Sequence, residues 1–238
     1  IEAAAFANCS ALESMDNLSN VTSIGKSAFR GCSALTNVGN LSNVITIGDS
    51  AFEGCASLEQ IGDMPNLISL GKFVFSRSAI LDDEGYNIVD YIYCSSLKSI
   101  GCMPKLETIG VGAFMKCRAL ESIGDLPNVT NIGSSAFENC GSLTSIGNMP
   151  KLKNVESQAF YKCDALKKVG DMSSVTSIER WAFHDCENLE DIGELRSVTE
   201  IGGAAFYNCP ALTLRVLPDS YAEQYAKNND INYTYIED

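Results

Sequence analysis

The stretch VTSIGKSAFRGC, from Val21 to Cys32, decides the fold because close copies of it begin at Val44, Val129, Val175 and Val198. Nine cysteines recur with this motif, and each step between them is 23 residues except for one step of 39 residues. They are Cys9, Cys32, Cys55, Cys94, Cys117, Cys140, Cys163, Cys186 and Cys209. A fixed period of this length is the signature of a repeat protein.

Other residue types keep step with the cysteine. A phenylalanine stands three residues before it, at Phe6, Phe29, Phe52, Phe75, Phe114, Phe137, Phe160, Phe183 and Phe206. Aliphatic residues stand eight before the cysteine, and a leucine stands three after it. Each 23-residue unit is therefore predicted to be one coil of a solenoid, in which equivalent apolar side chains stack into columns. The phenylalanine and the cysteine are expected to form two of these buried columns.

The composition of each coil predicts its local structure. Segments such as LESIG and NVTSI have the β-branched and Ser/Thr-rich character of short strands. The segment GxxAFxxC is predicted to form a short helical turn with Ala and Phe packed inward, and Gly and Pro are expected at the corners. The predicted fold class is thus an α/β repeat, a solenoid of 23-residue coils with short parallel strands and short helical turns.

The single 39-residue step is interpreted as 23 plus 16, with Ser78 at the intermediate cysteine position. This gives eight full 23-residue units and one irregular 16-residue unit at 78–93. Alignment backward from Cys94 puts Tyr91 in the phenylalanine column and Tyr86 in the aliphatic column. A coil seven residues short cannot follow the common circumference, so a break, bend or notch is predicted in one sheet around residues 82–90.

The net charge of −13 and the pI of about 4.5 argue against nucleic acid and anionic lipid as partners. The charge is uneven, because residues 1–93 carry 4 − 11 = −7, residues 94–170 carry 9 − 6 = +3 and residues 171–238 carry 4 − 13 = −9. No apolar run approaches the ~18–20 residues of a membrane span, so no membrane insertion is expected. The opening IEAAAFANC aligns inside the repeat, which indicates a fragment of a longer protein.

The pattern LxxIGxLPNVTSIGxxAFxxC resembles the BspA-like leucine-rich repeat family of bacterial and some protist cell surfaces, over about residues 1–215. The resemblance implies a curved, right-handed solenoid with a parallel sheet on the concave side, and extracellular binding or adhesion. This chain has Ile-Gly-x-Leu/Met-Pro where the family often has Ile-x-Leu-Pro, which leaves the register of the concave strand open. The tail 216–238 also resembles endings in this family. Its Ser220 and Glu223 form a capping-box pattern, which predicts a C-terminal cap of one helix and one strand.

Neither a metal nor a cofactor is predicted. The nine in-register cysteines are an odd number, and parallel stacking does not favour disulfide geometry, so free buried thiols are expected. A single column with one histidine in the whole chain does not supply converging metal ligands. The tenth cysteine, Cys102, stands in a column otherwise filled by Asn, Asp and Glu, which should face solvent. It is either an exposed reactive thiol or a tolerated neutral substitution.

Two stretches of the sequence depart from the repeat, and they contain the candidate binding residues. Tyr86, Tyr91 and Tyr93 lie near Asp82 and Asp83 in the irregular unit, where they form either a recognition site or a set of side chains that fill a gap. Trp181, in the stretch RWAFHDC, is either an exposed aromatic anchor or an ordinary surface residue. His184 in the same stretch would need a second positioned group for acid–base catalysis, and Asp185 beside it is weak support.

The predicted function is a non-enzymatic binding or adhesion module of a secreted or cell-surface bacterial protein. The expected partner is an extracellular protein or a glycan, and the module is expected to be a monomer. The alternative is a structural spacer or stalk with no ligand of its own.

Overall fold

Two-residue strands recur at the 23-residue period and stack into a parallel β-solenoid of about nine turns. The computed structural model describes residues 1–76, 78–81 and 88–237. The strands are β1 (Ser23–Ile24), β2 (Thr46–Ile47), β3 (Gln60–Ile61), β4 (Ser69–Leu70), β5 (Ser78–Leu81), β6 (Ile88–Ile92), β7 (Ser99–Ile100), β8 (Thr108–Ile109), β9 (Ser122–Ile123), β10 (Asn131–Ile132), β11 (Ser145–Ile146), β12 (Asn154–Val155), β13 (Lys168–Val169), β14 (Ser177–Ile178), β15 (Glu200–Ile201), β16 (Thr213–Val216) and β17 (Asn232–Tyr235), and the helix is α1 (Tyr221–Asn228).

The strands form two parallel stacks, and a coil such as the one with β3 and β4 contributes one strand to each. The larger is an eight-stranded sheet in the order β1-β2-β4-β8-β10-β12-β14-β15. The smaller stack contains the pair β3-β7 and the sheet β9-β11-β13. Pairing is in register, so Ile132 lies opposite Val155 and both are buried, while Asn131 lies opposite Asn154 on the outer side. Successive side chains of a strand point to opposite faces, so one aliphatic column lies inside and one polar column lies outside.

The phenylalanine column forms a continuous stack, here called the Phe ladder. Successive ring centroids from Phe6 to Phe206 lie 4.9–5.6 Å apart, and no pair of rings is tilted by more than 19°. Phe137 and Phe160 are fully buried with centroids 5.3 Å apart. The predicted inward columns are therefore confirmed. Burial of each ring stabilises the fold by roughly 2–3 kcal/mol.

The cysteine column has a polar role as well as an apolar one. All ten cysteines are free thiols, as predicted for the column, and most of the column is buried. The Sγ of Cys55 donates to the carbonyl of Phe29 at 3.2 Å, and the Sγ of Cys163 donates to the carbonyl of Phe137 at 3.0 Å. Each thiol thus bonds the preceding coil at the phenylalanine beside it. A cysteine suits this site because it is small, apolar and still able to donate a weak hydrogen bond.

The GxxAFxxC segment forms consecutive turns, so the predicted helical turn is wrong. Alternate N–H groups bond in different directions: those of Ala28 and Arg30 reach back three residues, while that of Phe29 crosses to Ala51 of the next coil at 2.8 Å. Ser27 and Gly31 have positive φ values of 55° and 72°, which no α-helix contains. Sequence reasoning failed here because Ala and Phe at these positions face inward in either conformation. The right-handed sense of the coils stays a prediction.

The 39-residue step is one coil with an insertion, and the predicted notch in a sheet is wrong. Leu70 pairs directly with Ile109, and Ile61 pairs directly with Ile100, so both stacks continue across the irregular region. Phe75, not Tyr91, occupies the Phe ladder there, with centroid distances of 5.6 Å to Phe52 and 5.2 Å to the next ring.

The inserted residues leave the coil between Phe75 and Cys94. The Sγ of Cys94 donates to the carbonyl of Phe52 at 2.9 Å, which is the bond that every other buried cysteine makes to the coil before it. The backbone of β5 pairs antiparallel with β6, so the insertion is a β-hairpin. The extra length therefore leaves the solenoid instead of shortening a coil.

Deletion of residues 78–93 is expected to leave the solenoid folded, with a free energy of unfolding within about 1 kcal/mol of the parent chain. The deletion joins Arg77 to Cys94 and restores the sequence GKFVFSRC, which matches the repeat motif. Closing a loop of this size contributes little to stability either way. Urea unfolding followed by circular dichroism measures the change. A deletion of residues 71–86, of the same length but removing Phe75, is the control and should unfold the chain substantially.

The C-terminal segment covers the last coil. Ser220 caps α1, since its Oγ accepts the N–H of Glu223, and β17 pairs parallel with β16. Hydrogen bonds from Lys227 and then Tyr235 lower the pKa of Glu223 to about 2. The Tyr235 hydroxyl donates to Glu223 at 2.6 Å, which joins β17 to the helix. The division into a solenoid at 1–215 and a cap at 216–238 stays a prediction.

Candidate functional site

The predicted binding residues do not form one site. Asp82, Asp83 and Tyr86 lie outside the described residues, and Tyr91 belongs to β6. Tyr93 lies at the base of the hairpin, where the Lys116 ammonium is 5.1 Å from its ring centroid. Trp181 belongs to a coil four steps further along the Phe ladder, so it cannot share a ligand site with Tyr93.

Trp181 instead lies beside a column of rings in tilted contact, here called the aromatic ladder and formed by Tyr161, His184 and Tyr207. Their ring centroids are 5.3 Å and 4.9 Å apart. All three occupy the position two residues before the cysteine, on the outer side of the turn segment. Earlier coils have Ala7, Arg30, Glu53, Met115 and Glu138 at this position. Sequence analysis missed Tyr161 and Tyr207, although the change to aromatic residues in three consecutive coils was a signal that could have identified them.

Trp181 has a left-handed backbone conformation, with φ of 60°. Bulky residues rarely occupy this region, and the same column contains Ser27, Ser50, Gly112 and Ser135 in other coils. The Arg180 guanidinium carbon lies 3.7 Å from the Trp181 ring centroid, and the His184 ring meets the indole edge-on at 6.5 Å. The side chain is half-buried among these groups, so it contributes surface to the cluster and none to the core.

Acidic and amide groups surround the rings. The Nδ1 of His184 lies 3.2 Å from a carboxylate oxygen of Asp185, whose other oxygen accepts from the Asn208 amide at 2.9 Å. Burial, followed by the nearby carboxylates of Glu187 and Asp185, raises the pKa of Asp164. The site therefore combines aromatic surface, one guanidinium and a negatively charged rim. Tryptophan, tyrosine and arginine are the residue types that contribute most to binding energy at protein interfaces.

Cys102 is exposed, as its column predicted. That column is a ladder of hydrogen bonds: the Asp63 carboxylate accepts the N–H of Cys102 at 2.8 Å, and the Asp125 carboxylate accepts the N–H of Asn148 at 2.7 Å. A cysteine can stand there because the backbone, not the side chain, is what the preceding coil binds. Among the described residues, no group of three or more His, Cys, Asp or Glu side chains converges as a metal site would require.

Native protein is expected to expose two rapidly reacting thiols, Cys9 and Cys102, and all ten after denaturation. Burial raises the pKa of Cys94 and Cys209 to about 12 and those of the other buried thiols above their usual range. Thiolate forms only as pH approaches the pKa, so these thiols stay protonated at about pH 8. Titration with a chromogenic disulfide measures the count. Cys102→Ser should remove one rapidly reacting thiol per chain, and Cys140→Ser should remove none. More than two rapidly reacting thiols in the parent chain would contradict the buried column.

Comparison with known proteins agrees with this architecture. The chain matches the family model described as a BspA type leucine rich repeat region in six copies, over residues 1–84 and 87–223. No curated protein matches the sequence. The described residues contain no helix of the length and apolar character needed to cross a bilayer.

Two solved structures are similar in fold. A leucine-rich repeat protein of T. pallidum is 25% identical with a TM-score of 0.61, and the alignment covers 81% of this chain and 79% of that one. A leucine rich cell surface protein of Faecalibacterium prausnitzii is 22% identical with a TM-score of 0.52, over 100% of this chain and 77% of that one. The second likeness supports the fold alone.

Proposed function

The chain belongs to the BspA-type leucine-rich repeat family, and on that premise we propose that it is a non-enzymatic binding module of a secreted or cell-surface bacterial protein. Its ligand is an extracellular protein or glycan, and it acts as a monomer. The observation that carries the proposal is the cluster formed by Trp181, Arg180 and the aromatic ladder. These side chains depart from the repeat in neighbouring coils and pack against one another outside the core.

The chemistry of the cluster suits a polar partner. The Tyr207 side chain is 64% exposed at the end of the aromatic ladder, and its hydroxyl and ring edge are available to hydrogen-bonding groups. The rings of the aromatic ladder contact one another, which restricts their side chains before a ligand arrives and lowers the entropic cost of a contact.

A structural spacer is the second candidate, and the polar columns outside the cluster favour it. The Asn43 amide donates to the carbonyl of Ser19 at 2.7 Å, and the Asn66 amide donates to that of Ser42 at 2.9 Å. The hydroxyl of Thr144 likewise bonds the carbonyl of Glu121 at 3.0 Å. Side chains engaged between coils stiffen the solenoid and are less available to a ligand.

Arrays of glycans and extracellular-matrix proteins, probed with residues 1–238, separate the two candidates. Trp181→Ser should weaken binding at least about tenfold, which corresponds to ~1.4 kcal/mol. Phe73→Ser is the matched control, because Phe73 stands in the same column, has φ of 54° and lies outside the core at 38% exposure. It should bind as the parent chain does. Absence of binding to any array component would favour the spacer, and binding that survives both Trp181→Ser and Tyr207→Ala would place the site elsewhere.

A further inference from the structure

The last coil of the solenoid has backbone N–H donors at the positions that bond to the next coil in the earlier coils. In the repeat, the N–H groups five, three and one residues before the cysteine cross to carbonyls of the next coil. In the penultimate coil these bonds are Trp181 to Gly203 at 3.3 Å, Phe183 to Ala205 at 2.8 Å and Asp185 to Tyr207 at 2.9 Å. The corresponding donors of the last coil are the N–H groups of Ala204, Phe206 and Asn208.

The C-terminal helix covers the middle of this row only. The Tyr225 ring lies 6.1 Å from that of Phe206 and meets it edge-on, so it takes the place of the next ring of the Phe ladder. Burial raises the pKa of the Tyr225 phenol, while the backbone N–H groups of Ala205 and Phe206 at its oxygen oppose that rise. Within the described part of the chain, the N–H groups of Ala204 and Asn208 have no acceptor.

A groove of about 380 Å³ lies in front of these donors, here called the terminal groove. Its walls include Ala204, Tyr207, Asn208, Pro210, Asn229 and Asp230. This volume falls within the range of ligand sites in proteins. The helix therefore covers the interior of the last coil and leaves its outer edge open.

We propose that the terminal groove binds an extended peptide segment that carries a basic side chain, whose carbonyls accept the N–H groups of Ala204 and Asn208. A polypeptide is the ligand whose acceptors have the required spacing, because the chain itself seats such a segment on its earlier coils. Addition of a strand to an open edge is a general mode of peptide recognition. This inference goes beyond the proposed function, since it holds whether or not the aromatic cluster binds a ligand.

Charge selects a basic peptide. Asp230 is the one charged residue among those that line the groove in the described structure. The Asn208 amide, at the rim, is bonded to the carboxylates of Asp185 at 2.9 Å and Glu187 at 3.4 Å. The region 171–238 has a net charge of 4 − 13 = −9. Opposite charge on a peptide is therefore favoured, and like charge is disfavoured.

The geometry also places the basic side chain. In the repeat, the residue that accepts from the third donor lies two before the cysteine, in the column of the aromatic ladder. A peptide seated in the same register would continue that column over the exposed face of Tyr207. An arginine there would form a cation–π contact, as Arg180 does with Trp181.

Two peptides taken from the chain form a matched pair of probes. Residues 25–31 read GKSAFRG and residues 48–54 read GDSAFEG, so the two segments have the same pattern with opposite charges. Both segments bond in the same way to the coil before them. The backbone carbonyl of Lys26 accepts the N–H of Ala4 at 2.8 Å, and that of Asp49 accepts the N–H of Ser27 at 2.8 Å. Because Tyr225 fills the phenylalanine position in the terminal groove, the probes carry Gly there, as GKSAGRG and GDSAGEG with blocked ends.

Two-dimensional amide NMR of the whole chain reports the contact. GKSAGRG should shift the amide signals of Ala204 and Asn208 and slow their hydrogen exchange. The amides of Trp181 and Asp185 stand in the same columns one coil earlier and are already bonded, so they serve as internal controls. GDSAGEG should bind at least about tenfold more weakly.

Two substitutions test the site itself. Ala204→Phe should abolish binding, because the equivalent Phe73 ring extends over the next coil and reaches within 2.5 Å of where a side chain on Gly112 would begin. Tyr207→Ala should lower the affinity for GKSAGRG at least about fivefold through loss of the cation–π contact. Met115→Ala, in the same column four coils before Tyr207, should leave peptide affinity unchanged.

The proposal is wrong if GKSAGRG leaves the Ala204 and Asn208 amides unperturbed, if both peptides bind equally, or if Ala204→Phe and Tyr207→Ala both bind as the parent chain does. Trp181→Ser separates this result from the aromatic-cluster proposal, because it should reduce array binding without changing affinity for GKSAGRG. Failure of either proposal is thus visible without the other.

Discussion

Phe137→Ala is expected to lower the free energy of unfolding by about 3–5 kcal/mol. Phe137 is fully buried, and its ring stacks on Phe114 at 5.1 Å and on Phe160 at 5.3 Å. Truncation leaves a ring-sized cavity between two coils that cannot collapse, because each is bonded to its neighbours through the backbone. Since a solenoid is stabilised by the contacts between adjacent coils, one substitution weakens two such contacts. Equilibrium urea unfolding followed by circular dichroism measures the loss.

Phe73→Ser is the control for this experiment. Phe73 is 38% exposed and has φ of 54°, and serine is the residue of its column in three other coils. Its substitution should change the free energy of unfolding by less than about 1 kcal/mol. Equal effects of Phe137→Ala and Phe73→Ser would contradict a stacked interior, because the first phenylalanine would then contribute no more than a surface one.

Gly147→Ala is expected to destabilise the chain by at least about 2 kcal/mol. A Cβ on Gly147 would lie 2.6 Å from the Asp125 nitrogen and 2.6 Å from the Gly124 carbonyl carbon in the preceding coil. Backbone atoms cannot move aside as a flexible side chain can. The spacing of the coils would have to widen there, and the N–H of Gly147 would lose its 3.0 Å bond to Ile123. Thermal and urea unfolding should both report the change.

Gly124→Ala tests the same residue type one coil earlier. Gly124 stands in the same column as Gly147, but a Cβ there would meet no atom within 4 Å. Alanine should be neutral or slightly stabilising at this position, because it restricts the unfolded chain more than glycine does. If Gly124→Ala destabilised the chain as much as Gly147→Ala, close approach of the coils would not be the reason for glycine at position 147.

Most of the interior could be predicted from the sequence. A 23-residue period with Phe and Cys in register requires stacked coils, because no single unit can bury its apolar residues alone. Phe137 and Phe160 lie together for that reason. The period could not distinguish a short extra coil from an insertion within one coil, since both give a 39-residue step. Only the direct pairing of Leu70 with Ile109 resolves it.

The candidate site could be predicted only in part. Trp181 was identified because it is the one tryptophan of the chain, whereas Tyr161 and Tyr207 were missed because tyrosine is common in the sequence. Residues 23 apart in the sequence become neighbours about 5 Å apart once the coils stack. Aromatic residues at the same surface position of consecutive coils therefore contact one another. A binding role for Tyr86, Tyr91 and Tyr93 remains a prediction of the sequence.

Apolar periodicity determined the solenoid and its buried columns, because the hydrophobic effect depends on which residues recur and not on how the turns between them are formed. Tertiary structure alone decided three things: the alternating bonds of the turn segment, the exit of the hairpin between Phe75 and Cys94, and the unpaired N–H groups of Ala204 and Asn208. Each depends on where a directional backbone hydrogen bond finds its partner, and a sequence pattern does not record that direction.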